Sequence, residues 1–400
     1  ARHRAHRPRR PERSHQAQTE RAVRRPDAAR RHRALDGQPA FAHPARRADG
    51  RRRHRDRAAA GRSPEASQPR GPGHDRHRHP RRGHREPGAP ADPAQGRQGA
   101  DRRASRGEAS GSVSSLKVGL GLPNADKSLL DGRLLVEIAR RAEALGFSTL
   151  GTIGRVAYPS FEEMVTLAAA AGATERIGLM TDILLATTRE PVLLAKQAAT
   201  LDQLSGGRFV LGIGAGGRED DFTVTGSGFH DRGKRLDAAL DLVHRAWRGE
   251  PVPGTSQPVT PRPVNGHSVP IAFGGYSAPV IRRVVKYGVG YTLGGGPPEA
   301  LAGMMQRVSA AWKEAGREGK PRFWALAYFV LGDEVAAEAE QNLTAYYGDY
   351  GPRVWGGTVK SAADAKERVK GFEAIGCDEL ILFMAAPAVE QAERLAEEVL

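Results

Sequence analysis

Beyond residue 112, short apolar runs alternate with segments whose apolar residues recur every three or four positions. The short runs, such as Leu116–Leu122, Ser148–Ile153 and Phe209–Ile213, are each followed directly by Gly or Pro and are typical of buried strands. The longer segments, such as Leu129–Leu145, have the period of amphipathic helices. The pattern therefore predicts strands and helices in regular alternation.

The remaining elements follow the same order. Strands are predicted at Arg176–Leu185, Val269–Phe273, Gly290–Leu293, Arg322–Leu331 and Asp378–Phe383. Helices are predicted at Phe161–Ala171, Pro279–Tyr287, Pro298–Glu314, Ala362–Ile375 and Val389–Leu400, and also from Pro191, after an Asp231 cap and from Glu334. Eight strands that alternate with helices predict an α/β fold, a single (β/α)8 TIM barrel. Residues 113–400 are enough for such a barrel of about 250 residues.

The first 112 residues have a different composition. Ala1–Ser110 contains 30 Arg, no Lys and 12 acidic residues, whereas the remainder has 31 basic and 34 acidic residues. The only large apolar residues of Ala1–Ser110 are one Val, one Leu and one Phe. Burying each would contribute about 1.5–3 kcal/mol, against an ordering cost on the order of 100 kcal/mol. We therefore expect a disordered, low-complexity leader at 1–112, followed by one barrel domain at 113–400.

The net charge of +15 comes from this leader. An Arg-rich arm could bind nucleic acid through phosphates, but it lacks the interleaved aromatic residues that stack on bases, so nucleic acid is not the expected partner. The leader also does not fit a targeting peptide, because it lacks an apolar core and contains acidic residues. A further hypothesis is translation upstream of the natural start, since GC-rich DNA in an unselected frame encodes Arg, Pro, Ala, Gly and His. Val113 is then a candidate start.

Glycines gather where three predicted strands end. The strand Phe209–Ile213 is followed by Gly214, Gly216 and Gly217, the next strand by Gly274 and Gly275, and the one after it by Gly294–Gly296. In a parallel barrel, the carboxyl ends of the strands form the face on which ligands bind. We therefore expect these glycines to border one ligand site.

The segment Gly274–Ser277 stands directly between a strand and a helix. Its backbone N–H groups and the positive end of the helix converge on one point, and the Ser277 hydroxyl adds a donor. This arrangement is typical of a phosphate site, although a plain strand-to-helix turn can contain the same residues. The glycines do not form a nicotinamide fingerprint, because GIGAGG has no acidic partner about 20 residues later.

Three stretches carry a resemblance to a known family. They are TTREPVLLAKQAATLDQLSGGRFVLGIGAGGREDDF, FHDRGKRLDAALDLVHRAW and VPIAFGGYSAPVIRRVVKYG. Together they resemble the luciferase-like flavin-dependent monooxygenases, over about Leu116–Leu400. The resemblance implies a (β/α)8 barrel that holds FMN, or a deazaflavin relative, at its rim.

The same resemblance implies roles for individual residues. Members carry a cis non-proline peptide bond against the isoalloxazine ring at the end of the third strand. The matching residues here are Thr181, Asp182 and Ile183, with the bond itself at Asp182–Ile183. Gly214 and Gly216 match positions along the flavin's edge, and Gly274, Gly275, Tyr276 and Ser277 match the phosphate-binding turn.

Three residues on rim loops, Arg155, Tyr158 and Arg218, are the candidate catalytic residues, expected to contact an anionic or polar substrate. Each could equally be a solvated loop residue, and Asp220 and Asp221 could pair with the arginines.

The chain departs from the family at two places. Members often carry a His after the second strand, whereas this loop reads GRVAYP. Deazaflavin-dependent sugar-phosphate dehydrogenases place a Glu where this chain has Gly217 and Arg218.

The residues leave several functions open. The first is a monooxygenase or oxidoreductase that uses O2 and reduced FMN, supplied by a separate flavin reductase, on a small organic substrate. The alternatives are a deazaflavin-dependent enzyme that transfers a hydride without oxygen, and a flavin-binding protein without turnover. The single Cys377 fits a reducing cytoplasm, no apolar run predicts a membrane span, and no metal site is predicted. Many relatives are dimers, so a homo-oligomer is expected.

Overall fold

The computed structural model describes residues 116–129 and 131–400. The predicted leader at 1–112 and the candidate start at Val113 lie outside the described residues. In the described part of the chain, no helix has both the length and the apolar character that crossing a membrane requires.

Parallel strands form one closed sheet. They are β1 (Lys117–Gly121), β2 (Thr149–Thr152), β3 (Gly178–Thr181), β4 (Leu184–Leu185), β5 (Phe209–Gly214), β6 (Ile271–Gly274), β7 (Gly290–Leu293), β8 (Arg322–Phe329) and β9 (Glu379–Met384). The order β1-β2-β3-β5-β6-β7-β8-β9 returns to β1, and the two-residue β4 pairs beside β5. The predicted TIM barrel of eight strands is confirmed.

Helices cover the outside of this barrel. They are α1 (Arg133–Leu145), α2 (Glu163–Ala173), α3 (Pro191–Leu204), α4 (Glu219–Val224), α5 (Arg232–Trp247), α6 (Ala278–Tyr287), α7 (Pro298–Glu314), α8 (Asp333–Tyr347), α9 (Gly351–Gly356), α10 (Ala362–Ala374) and α11 (Val389–Val399). The short helices α4 and α9 lie in segments for which the sequence pattern predicts no element. Helix α4 follows the carboxyl end of β5 and so borders the ligand face, whereas α9 follows α8.

Several predicted boundaries differ from the observed ones. The strand predicted at Arg176–Leu185 is divided into β3 and β4, and the cis peptide bond Asp182–Ile183 lies between them. Helix α1 begins four residues later than predicted, because Asp131 Oδ1 accepts the Arg133 amide at 2.9 Å and holds the preceding turn. Asp231 precedes α5 as predicted, but its side chain makes no capping hydrogen bond.

Aromatic side chains in the barrel interior require glycines on neighbouring strands. Phe383 of β9 is 1% exposed, and a Cβ at Gly121 of β1 would lie 2.1 Å from its ring. A Cβ at Gly151 of β2 would approach the same ring to 2.8 Å. These glycines are therefore packing positions within strands and not turn positions.

Barrel closure between β3 and β5 depends on a further glycine. The Thr181 hydroxyl donates to the Gly212 carbonyl at 2.8 Å, and a Cβ at Gly212 would lie 1.8 Å from the Thr181 carbonyl oxygen. Because that contact is with backbone, no side-chain movement can relieve it. Thr181, which precedes the cis-bonded pair Asp182–Ile183, is therefore held against β5 at the point where Gly212 has no side chain.

Gly212→Ala is expected to lower the free energy of unfolding by at least about 3 kcal/mol, since the methyl group would force β3 and β5 apart. The matched control is Gly172→Ala in α2, where an added Cβ meets no atom within 4 Å. That change should raise stability by up to about 1 kcal/mol through helix propensity. Urea unfolding of both variants checks this, and equal effects would contradict the closure argument.

Candidate active site

The predicted cofactor-binding residues surround one large cleft. It has a volume of about 690 Å³ and lies at the carboxyl ends of β3, β5, β6 and β7. Eight of the nine predicted cofactor-binding residues line it: Asp182, Ile183, Gly214, Gly216, Gly274, Gly275, Tyr276 and Ser277. The ninth, Thr181, is fully buried and binds the Gly212 carbonyl instead. The geometry brings these residues together, while their roles toward a cofactor stay a prediction.

One end of the cleft has the features of an anion site. Ser277 is the N-cap residue of α6, yet its side chain makes no capping hydrogen bond. Among the described residues, the amides of Tyr276 and Ser277 donate to no backbone carbonyl. The turn that leads into α6 therefore places two N–H groups and a hydroxyl, each without such a partner in the described part of the chain, among the residues that line the cleft.

Hydrogen bonds between strand ends hold this turn in place. The Tyr291 hydroxyl donates to the Gly275 carbonyl at 3.1 Å, and the Tyr276 hydroxyl donates to the Gly294 carbonyl at 3.2 Å. Partial desolvation of the Tyr276 hydroxyl and burial of Tyr291 raise the pKa of both above the ordinary tyrosine value, so both hydroxyls keep their protons. Gly275 has φ 128°, a backbone conformation that favours glycine.

Two arginines that the sequence analysis did not single out also line the cleft. Arg232 donates to the Gly216 carbonyl at 2.9 Å, and its guanidinium lies 4.0 Å from the ring centre of Phe229. Arg283 donates to Asp237 Oδ1 at 2.7 Å. Arg232 lies in the first turn of α5, and Arg283 lies on α6, the helix that begins at Ser277. Their places on helices that follow glycine-rich strand ends are the signal that could have identified them.

Ile183 packs against two of the rim glycines. A Cβ at Gly214 would lie 2.1 Å from Ile183 Cδ1, and a Cβ at Gly274 would lie 3.1 Å from Ile183 Cγ2. The side chain after the cis bond therefore occupies space that larger residues on β5 and β6 would fill. It provides an apolar surface at the centre of the cleft.

Asp182, on the other side of that bond, is a buried acid. Its Oδ1 accepts a hydrogen bond from the Thr292 hydroxyl at 2.8 Å, whereas Oδ2 has no partner among the described residues. Burial raises the pKa of Asp182 from its ordinary value near 3.8 to about 7. It is the one acidic residue among the described residues that line the cleft.

A second, smaller pocket adjoins the cleft, and we name it the tyrosine pocket. It has a volume of about 340 Å³ and shares Asp182, Ile183, Leu185, Gly217 and Gly294 with the cleft. Its other walls include Ile153, Leu326, Tyr346, Tyr347 and Tyr350, with Arg218 beside them. The tyrosines lie at and just after the end of α8.

Of the predicted catalytic residues, Arg155 and Arg218 line the tyrosine pocket and Tyr158 lies outside its wall, and none of the three lines the cleft. Arg155 Nε donates to Asp221 Oδ2 at 2.7 Å, and a second nitrogen binds Asp220. Asp221 also accepts the amides of Val156 and Ala157, each at 2.8 Å. Arg155 is therefore held inside the rim by two carboxylates, as the sequence analysis allowed.

Tyr158 and Arg218 have different surroundings. The Tyr158 ring packs edge-on against Tyr346 at 5.0 Å, and its buried hydroxyl has no partner among the described residues. The Arg218 guanidinium lies over the rings of Tyr346 and Tyr347, at 5.0 and 5.5 Å, and donates to the Tyr346 carbonyl. Within the described residues Arg218 forms no ion pair, so its charge faces the pocket uncompensated.

Comparison with known proteins agrees with this geometry. The family model for luciferase-like monooxygenases matches residues 116–398. An uncharacterized protein of Mycobacterium tuberculosis is 30% identical over 222 residues, which cover 48% of this chain and 75% of that protein. The 4-hydroxyprotoasukamycin monooxygenase of Streptomyces nodosus subsp. asukaensis is 31% identical over 192 residues, covering 44% of this chain and 51% of that protein.

Solved structures share the fold. A monooxygenase from Streptomyces bottropensis has a TM-score of 0.58 at 21% identity. The oxygenating constituent of 3,6-diketocamphane monooxygenase from Pseudomonas putida, solved with FMN, has a TM-score of 0.57 at 18% identity. A coenzyme F420-dependent secondary alcohol dehydrogenase has a TM-score of 0.58 at 18% identity. Each match covers 71% of this chain and 98% of the other. With the family model matched along the whole barrel, the chain belongs to the luciferase-like monooxygenase family.

Proposed function

We propose that this protein is a flavin-dependent monooxygenase that uses reduced FMN and O2 on a small organic substrate. The observation that carries the proposal is the continuity of two compartments. A cleft with free donors at one end meets an aromatic pocket across the Asp182–Ile183 peptide. A cofactor in the cleft would therefore have its reactive ring beside a substrate in the tyrosine pocket.

The residues of the cleft fit FMN. Its volume of about 690 Å³ lies within the range usual for sites that enclose a small molecule. The Tyr276 and Ser277 amides, the Ser277 hydroxyl and the start of α6 suit a phosphate dianion. Arg232 lines the same cleft and forms no ion pair with another described residue, so it adds positive potential there.

When bound, FMN would supply the electrons and the reaction with oxygen, and the protein would position the ring and exclude water. Ile183 would support the ring, because Gly214 and Gly274 leave its side chain exposed to the cleft between them. The apolar and aromatic walls of the tyrosine pocket would keep bulk water from the reacting atoms. We also propose that a separate flavin reductase supplies the reduced cofactor and that the protein acts as a homo-oligomer.

The substrate would bind in the tyrosine pocket. Of the three predicted substrate ligands, Arg218 is the one whose charge is not balanced by a carboxylate among the described residues. It would contact an anionic or electron-rich oxygen of the substrate while the tyrosine rings contact an apolar body. Arg155 would shape the rim through Asp220 and Asp221, and Tyr158 would pack behind Tyr346.

A deazaflavin-dependent hydride transfer is the second candidate. Two matched structures are named for coenzyme F420, so the same barrel supports that chemistry in other proteins. Both cofactors carry a phosphate-bearing ribityl chain, which the Ser277 turn would suit equally. Parallel titrations of reduced FMN and of the deazaflavin, followed by oxygen consumption, distinguish the two. A protein that binds flavin without consuming oxygen or transferring hydride would be the third alternative.

Ser277→Ala is expected to weaken FMN binding about tenfold or more, because a hydrogen bond to a charged group contributes about 1.5–3 kcal/mol. Riboflavin, which lacks the phosphate, should bind wild type and variant equally. Fluorescence titration with both ligands measures this difference directly. Ser309→Ala, at an exposed position of α7, is the matched control and should change neither affinity. Equal weakening of both ligands would contradict a phosphate at Ser277.

The two rim arginines are expected to behave differently. Arg155→Gln should destabilise the protein by about 3 kcal/mol or more, since it leaves the buried Asp221 carboxylate without its cation. Arg218→Gln should change stability by less than about 1 kcal/mol while reducing turnover of an anionic substrate. Urea unfolding and steady-state kinetics check both outcomes. A stable Arg155→Gln protein with a raised KM would show instead that Arg155 binds the substrate.

A further inference from the structure

Asp182 combines near-complete burial with an unused oxygen. Its side chain is 4% exposed, Thr292 occupies Oδ1, and Oδ2 lacks a hydrogen-bond partner among the described residues. The residue lines both the cleft and the tyrosine pocket. A buried polar atom without a partner is costly, so a group that completes its hydrogen bonding should occupy the adjoining space.

The surroundings of Asp182 decide which protonation state it takes. The hydroxyls of four tyrosines interact electrostatically with Asp182. They belong to Tyr276 after β6, Tyr291 on β7, Tyr328 on β8 and Tyr347 at the end of α8. Glu379 on β9 is the further acid whose charge acts on it. No Lys, Arg or His of the described chain forms an ion pair with it. Burial without a cation favours the neutral acid, and the pKa is raised to about 7.

We propose that Asp182 holds a proton on Oδ2 and donates it in a hydrogen bond to a ring nitrogen or carbonyl oxygen of the cofactor bound in the cleft. The inference rests on the proposed function, because it needs a flavin-type ring beside Ile183. A neutral donor at this point satisfies the unpaired oxygen and places no negative charge next to an electron-rich reduced ring. Thr292 fixes the carboxyl through Oδ1, which leaves Oδ2 as the donor.

The proposal predicts how affinity depends on pH. Below a pH of about 7 Asp182 is protonated and the donor is present, so affinity should not change. Above it, each unit of pH leaves one tenth as much of the acid form, so affinity should fall about tenfold per unit. Riboflavin is the probe, because the phosphate of FMN itself titrates near pH 6.

The experiment measures riboflavin affinity for the full chain by fluorescence quenching between about pH 5 and about pH 9. Wild type should lose about 100-fold in affinity across the two units above neutrality. Asp182→Asn, which keeps the shape and donates from its amide at every pH, should bind with a flat profile close to the low-pH wild-type value. Asp182→Ala should also be flat but weaker.

Two further variants locate the titrating group. The Thr292 hydroxyl stabilises the charged form of Asp182, so Thr292→Val should move the break in the profile to higher pH. Asp126→Asn is the matched control. Asp126 is another buried acid of raised pKa, but Ser128 and Asn342 satisfy its oxygens outside the cleft. Its replacement should leave the profile unchanged.

Infrared difference spectra provide a readout that does not depend on affinity. Riboflavin binding near pH 6 should shift the carbonyl stretch of a protonated carboxylic acid in wild type, and Asp182→Asn should lack this band. A pH-independent wild-type profile, or an Asp182→Asn profile that breaks like wild type, would overturn the inference. If neither riboflavin nor FMN binds any variant at any pH, the proposed function fails as well.

Discussion

The close approach of the Thr181–Ile183 segment to strands β5 and β6 is the contact on which the rest of the site depends. Gly212 allows the Thr181 carbonyl to lie against β5, and Gly214 and Gly274 make room for Ile183. A side chain at Gly212 would push the Thr181 backbone away from β5, and one at Gly214 or Gly274 would displace the Ile183 side chain. Because the absence of side chains sets this geometry, the site is built into the packing of the barrel and not added on flexible loops.

The same segment separates two compartments of different chemistry. On one side lie free amides, a serine hydroxyl and arginines, which suit an anionic cofactor tail. On the other side lie tyrosine rings and a single arginine without an ion pair in the described chain. The Asp182–Ile183 peptide borders both, so an acid on one residue and an apolar side chain on the next face the boundary where reacting groups would meet.

Much of the barrel was predictable from sequence because its signals are local. Apolar runs and helical periods identify all eight barrel strands, and glycine positions at strand ends identify one rim, since parallel strands share a carboxyl face. The Ser277 turn was predictable for the same reason. The ion pairs of Arg155 with Asp220 and Asp221 could be stated only as an alternative to a substrate-binding role, because these partners lie 65 and 66 residues away along the chain.

Other features depend on tertiary contacts that no local pattern encodes. The break between β3 and β4 falls inside a continuous apolar run, so periodicity predicts one strand there. The burial of Asp182 and its bond to Thr292 join residues 110 positions apart. The sequence pattern predicts Tyr346 and Tyr347 only as residues of a helix, and the position of α8 over the rim is what brings them into contact with Arg218.

Hydrogen–deuterium exchange of the Gly274–Val280 segment, measured with FMN and with riboflavin, tests most directly whether this rim binds a flavin phosphate. We expect FMN to slow exchange of the Tyr276 and Ser277 amides, and riboflavin to protect Ile183 and its neighbours while leaving these two amides unchanged. Protection by FMN confined to the opposite, amino-terminal face of the barrel would contradict it.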